Sequence, residues 1–223
     1  LQKYYTDLNS ERAYYAARTA LRLEDKSAID ILIPITNNDG HPCQVRAVKD
    51  LGEYPLDVKA HAALIELLNR ESAMVRIEAY DALRKVKDPE VTIIRTVRNF
   101  TIDRVATKAK PFVCIWAAGD ARVVLFGDIA CSENIFSEFE NGLITLNAPA
   151  GAQKITLIQQ AGPDRPRFVI ECDRSLYDLV VALSFPRPSA LYKGPPGLHM
   201  TFSEVAGLLY QLNQQKIIDV PFH

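Results

Sequence analysis

The sequence predicts an α+β protein with two domains: an N-terminal α-α superhelix of helical hairpins over residues 1–98, and a small, mostly antiparallel β-domain with two C-terminal helices over 99–223. Three observations lead there. From Asn9 to about Val97, apolar residues recur with helical period between short turn signals. Within that stretch the pattern repeats. Past Asn99 the texture changes to short runs rich in β-branched and aromatic residues, separated by Gly, Asn, Asp or Pro.

The bulk numbers are those of an ordinary globular chain. Of 223 residues, 48% are apolar and 24% charged, enough to form a core. The 26 basic and 27 acidic residues leave a net charge of -1, so no overall field draws in phosphate backbones or anionic lipid. No nucleic-acid partner is expected, and no stretch approaches the roughly 18 apolar residues of a membrane span. The start, Leu1-Gln2-Lys3-Tyr4-Tyr5, has neither a signal-peptide core nor an initiator Met, and the chain is read as a piece of a longer protein.

The front divides into six helix-length pieces at Asp25-Lys26, Asn37-Asn38-Asp39-Gly40, Tyr54-Pro55, Glu71-Ser72 and Asp88-Pro89. Pro89 fits the first turn of the last piece, where its missing N–H costs nothing. Pro34 falls inside the second piece and should kink or shorten it. The repeat is seen in Ala17, Ala20 and Leu21, which return as Ala79, Ala82 and Leu83 after two steps of about 31 residues. A middle copy carries Ala47 and Leu51. Likewise Leu32, Ile33, Ile35 and Asn37 return as Leu64, Ile65, Leu67 and Asn69. Small alanines let paired helices approach while Leu and Ile fill the space between hairpins. Val75-Arg76 with Ala79, Ala82 and Leu83, and Val45-Arg46 before Leu51-Gly52, resemble the first helix of HEAT repeats over about residues 10–97. That resemblance implies an armadillo-like solenoid and a protein-binding surface.

In the second half, runs starting at Phe112, Arg122, Gly142, Lys154 and Arg167 read as strands. Ser175 to Ser184 reads as a short helix with Leu176, Leu179, Val180 and Leu183 on one face. Phe185 to Gly197 holds four prolines and reads as an exposed loop. Thr201-Phe202-Ser203-Glu204 spells a capping box for a last helix with Val205, Leu208, Leu209 and Leu212 inside. Ile217 to Val220 reads as a closing strand.

Two tail elements carry a further resemblance. Val123-Val124-Leu125-Phe126-Gly127-Asp128-Ile129, together with the capped helix from Thr201 through Leu212 and the run from Ile217 to Phe222, resembles the C-terminal part of the flagellar P-ring protein. The match covers about 40 residues, and the bulk of a P-ring subunit is absent. It implies a divergent ring-related protein of the bacterial flagellum, a structural role, and a periplasmic or cell-envelope location; a cytoplasmic one is the alternative.

No constellation singles out catalysis. Cys43, Cys114, Cys131 and Cys172 are widely spaced and read as buried thiols, with one bridge among the last three open in an oxidising compartment. His41, His61, His199 and His223 lack ligand spacing; His41 with Cys43 is a conceivable pair without a third partner, and His61 reads as a surface or groove residue. Asp120, Asp128 and Glu133 are acidic loop residues before they are a cation site. Arg95, Arg98, Arg104, Lys108 and Lys110 form a local basic stretch with no aromatic platform. The expectation is a non-enzymatic scaffold or assembly module that binds a protein or itself, with no catalytic residue, cofactor, metal or small-molecule substrate. Tyr14, Tyr15 and Arg18 on the first helix are the candidate protein-binding residues, and the Pro-rich loop is a second patch for a ring contact. The rival is a lyase or hydrolase using the hairpins as a substrate platform.

Overall fold

The protein is seen in a computed structural model that describes residues 5, 7–96, 100–160 and 167–223, the side chain of Arg95 excepted. It divides into two compact units. One comprises Leu1–Thr92 with Val105–Lys110, the other Ile93–Arg104 with Pro111–His223.

The first unit is helical: α1 (Glu11–Arg22), a 3-10 turn (Lys26–Ala28), α2 (Ile29–Thr36), α3 (Gln44–Leu51), α4 (Val58–Leu67) and α5 (Ala73–Lys85). Side-chain caps start three of these helices, where Ser10, Asp57 and Ser72 accept from first-turn amides. Ala17, Ala20, Leu21, Ala47, Leu51, Ala79, Ala82 and Leu83 are all buried. Gly52 marks a close approach, since a Cβ there would stand 2.9 Å from Cβ of Ala82. Pro34 lies inside α2, which runs only eight residues.

The expected α-α superhelix is overturned. Among the described residues the helices stand at both ends of the chain, five before and two after a central β region of two four-stranded sheets. The front helices run 12, 8, 8, 10 and 13 residues, and α2 packs against α1, α3 and α4 together. A superhelix needs equal hairpins stacked through one repeated interface, and five short, unequal helices around a shared core do not supply it. The sixth helix-length piece is also corrected. Pro89 sits in a turn, and Val91–Arg95 is strand β1, so strand begins before Asn99. The β-branched run Val91-Thr92-Ile93-Ile94 suits a pleated strand better than a helix. Val97 and Asn99, where the boundary was expected, lie outside the described residues.

Strand β1 joins β2 (Thr101–Val105), β3 (Phe112–Trp116) and β4 (Arg122–Phe126) in a sheet of order β1-β2-β4-β3. Phe112 stacks on Phe126 at 4.1 Å between ring centroids, where the two are cross-strand partners. The second sheet is a meander, β5 (Ile135–Phe139), β6 (Ile144–Ala148), β7 (Lys154–Gln159) and β8 (Phe168–Asp173), antiparallel throughout. Its inner face carries Ile135, Leu146, Leu157 and Ile170, and α6 (Leu176–Ser184) and α7 (Phe202–Gln214) contribute Leu179, Leu183, Leu208 and Leu209 to the same core. Gln211 of α7 donates to Oγ of Ser137 and to the carbonyl of Glu138, which ties the helix to β5.

The tail helix has its capping box: Oγ1 of Thr201 accepts from the amide of Glu204, and Glu204 Oε2 accepts from the amide of Thr201 at 2.6 Å. The expected strand over Ile217–Val220 does not form. The pairing falls later, where Phe222 bridges Val113 and the amide of His223 donates to the Val113 carbonyl. Ile217 and Ile218 are buried in the core instead, with the Asn213 side-chain amide donating to the carbonyls of Ile218 and Val220.

Candidate functional site

Helices α1 and α3 of the first unit face each other across a groove. One concavity of about 320 Å³ is lined by Arg18, Leu21, Arg22, Lys49, Asp50, Glu53 and Tyr54. A second, of about 290 Å³, is lined by Tyr14, Arg18, Arg46, Lys49 and Asp50. The shared residues Arg18, Lys49 and Asp50 make these one continuous feature.

Helical spacing builds it. Arg18 and Arg22 stand one turn apart on α1, and Arg46 and Lys49 one turn apart on α3, so each helix turns a pair of cations to the same side. The floor is fixed by Asp50. Its Oδ2 accepts the Tyr14 hydroxyl at 2.7 Å and lies 3.3 Å from Nε of Arg18. Tyr14 is buried and Tyr15 is 44% exposed, with the two rings 5.0 Å apart. The Tyr15 hydroxyl accepts from Nη1 of Arg46 at 3.2 Å. Burial, then the hydrogen bond to Asp50 and its charge, push the Tyr14 phenol well above its ordinary range. Burial also raises Glu78 of α5, against which Lys49 acts as the opposing charge.

The three expected contact residues therefore differ in role. Tyr14 holds the floor, Arg18 spans floor and rim, and Tyr15 presents its ring to solvent. Sequence reasoning did not find Arg22, Arg46 and Lys49, although the i, i+4 and i, i+3 spacing of cations on successive helices was readable. At the end of the groove the Tyr54 hydroxyl donates to the Leu21 carbonyl at 3.3 Å, bringing the Tyr54 loop to the end of α1. Leu23 and Leu56, close in sequence to the lining residues Arg22 and Tyr54, are 71% and 84% exposed.

Several other candidates make contacts within the fold. The amide of Cys43 donates to Nδ1 of His41, whose Nε2 faces the Ser10 carbonyl at 3.4 Å, so His41 ties two helix starts together. His61, half exposed, places Nε2 2.6 Å from Oδ2 of Asp88, a pairing its sequence context did not reveal. Asp128 binds Arg104 at 2.9 Å, and Arg104 lies over the Tyr177 ring. Of the basic stretch, Arg98 and the side chain of Arg95 lie outside the described residues. The Lys108 amide donates to Oδ1 of Asn69, and the Lys110 carbonyl accepts from the buried Arg76. Among the described residues no group of three His, Cys, Asp or Glu is placed to hold a metal ion, and no helix is long and apolar enough to cross a membrane.

A concavity of about 630 Å³ lies in the second unit between the β5–β6 turn, the end of β7 and the start of α7. Of the ionisable groups that line it, Glu204 sits in the capping box and Arg187 donates to Oε1 of Gln159 at 2.6 Å with its guanidinium over Phe168; Glu140 and His199 line it as well.

No family model, curated protein or solved structure matches this chain. Fold and groove define it as an α+β protein whose helical unit presents a cation-lined, tyrosine-floored groove between two helices.

Proposed function

We propose that this chain is a protein-interaction module that acts without catalysis, and that the α1/α3 groove receives its partner. One observation carries the reading: Tyr14, Arg18 and Asp50 lock the floor while Tyr15 and three further cations are left at the rim. Tyrosine and arginine are the residues that most often anchor interfaces, because each combines contact area with a polar tip. A floor fixed by hydrogen bonds lowers the ordering cost of binding.

The tail's resemblance to the P-ring protein would make the partner a neighbouring subunit of an envelope ring, and that extension rests on the resemblance alone. The test is a photo-cross-linking amino acid in place of Tyr15, in cells that make the natural protein. Cross-linked adducts that vanish with Arg18→Glu support the groove. Adducts that persist unchanged in that variant, or no adduct at all, overturn it.

A further inference from the structure

We infer that the partner enters the groove as an acidic segment that ends in a large apolar side chain. This rests on the interaction reading above and narrows it to one chemistry. Four cations line the groove, Arg18, Arg22, Arg46 and Lys49, against two carboxylates, Asp50 and Glu53. Arg18 and Asp50 pair with each other and largely cancel, which leaves Arg22, Arg46 and Lys49 against Glu53. The surplus is local, because the whole chain is nearly neutral at -1.

Like charges one turn apart on a helix cost stability. With Arg18 paired to Asp50, Arg46 and Lys49 on α3 remain such a pair, and Arg22 on α1 adds a third cation to the same groove. A chain bearing carboxylates at the spacing of the helical turns would convert that repulsion into charge-assisted hydrogen bonds, with the arginines offering bidentate geometry. Arg22, Arg46 and Lys49 are exposed, which keeps their guanidinium and ammonium groups within reach of an incoming strand or helix. The apolar part of the motif follows from the groove's end. Leu23 follows the lining residue Arg22 directly and Leu56 follows the lining residue Tyr54 by two positions; both are exposed. Exposed leucines so close in sequence to the lining of a charged groove suit an apolar anchor that fixes register, while the carboxylates set orientation and association rate.

The test uses the full chain and three labelled probes in fluorescence anisotropy. One is a twelve-residue peptide rich in Glu and Asp that ends in Leu-Phe. The second is the same peptide with Gln and Asn replacing the acids, and the third is a single-stranded oligonucleotide of equal charge. The acidic peptide should bind at least about ten-fold tighter than the amide peptide, and weaken as salt rises. Arg22→Glu and Lys49→Glu should each weaken it about ten-fold, and Leu56→Ser should weaken it without changing the salt dependence. Both charge changes are on exposed positions, and circular dichroism of the variants checks that they fold. Equal binding of the acidic and amide peptides overturns the acidic partner, as does equally tight binding of the oligonucleotide that ignores Leu56→Ser. If no probe binds while the Tyr15 cross-linker still captures a partner through Arg18, the acidic inference falls and the interaction reading stands. If neither responds, both fall.

Discussion

Tyr14 on α1 donates its hydroxyl to Asp50 on α3 at 2.7 Å, across 36 positions of sequence, and Arg18 meets the same carboxylate oxygen at 3.3 Å. The bond is part-buried, so its partners are costly to leave alone. Tyr14→Phe should therefore destabilise the first unit by about 1–3 kcal/mol, since Asp50 loses a donor in a half-buried site. Arg18→Ala alone should cost under about 1 kcal/mol, because its side chain is 39% exposed and solvent replaces the contact. Denaturant unfolding of both single variants and the double variant measures the coupling. Strictly additive effects would show that the three groups do not act together.

The contact of Gly52 with Ala82 makes a second prediction. A Cβ at Gly52 meets Cβ of Ala82 at 2.9 Å and the Lys49 carbonyl at 3.2 Å. Gly52→Val should force α3 and α5 apart and cost about 1–3 kcal/mol. Adding Ala82→Gly should restore part of the loss. A thermal melt of Gly52→Val equal to the parent's would show that the helices do not pack this closely.

The tail helix separates a cap from a core. Thr201→Ala removes the side-chain acceptor for the Glu204 amide and should cost about 1 kcal/mol. Leu209 is fully buried, so Leu209→Asp buries a carboxylate and should cost about 3–5 kcal/mol. The order of the two melting temperatures checks this, with Leu209→Asp the lower.

Cys131 and Cys172 predict loss of stability in alkali. Burial pushes the Cys131 thiol up to about 11 and the Cys172 thiol up to about 12, from an ordinary value of 9.0. Between 9.0 and those values the unfolded chain releases these protons while the folded chain keeps them. Unfolding thus becomes easier as pH rises, by up to about 1.4 kcal/mol per pH unit for each thiol. The contribution is fully present below pH 9.0 and is gone above about 12. Replacing both residues by Ala should flatten the stability curve between pH 9 and 11 relative to the parent; an unchanged slope would place the effect elsewhere.

Local chemistry made much of the chain legible. The capping box at Thr201, the apolar face of α6, the helical period of α1 to α5 and five of the eight strands among the described residues are written in adjacent residues, because caps, periodicity and turn signals act within a few positions. The same locality limits what can be read. Helical period over α1 to α5 looks alike whether hairpins stack in an open array or close on a common core, and only contacts between distant helices separate the two. Strands β1, β2 and β5 stayed hidden for a related reason. Asp103 in β2 and Ser137 in β5 are polar residues at buried strand positions, and Ser137 is tolerated because Gln211, 74 positions away, reaches it. The groove shows the division most clearly. The tyrosines and Arg18 stand close together in sequence on α1, whereas the cations of α3 join them only when the chain folds back and Asp50 draws Tyr14 and Arg18 onto one oxygen. Sequence determines which side chains each helix offers, and tertiary packing decides which of them share a field, since electrostatic coupling depends on distance in space rather than along the chain.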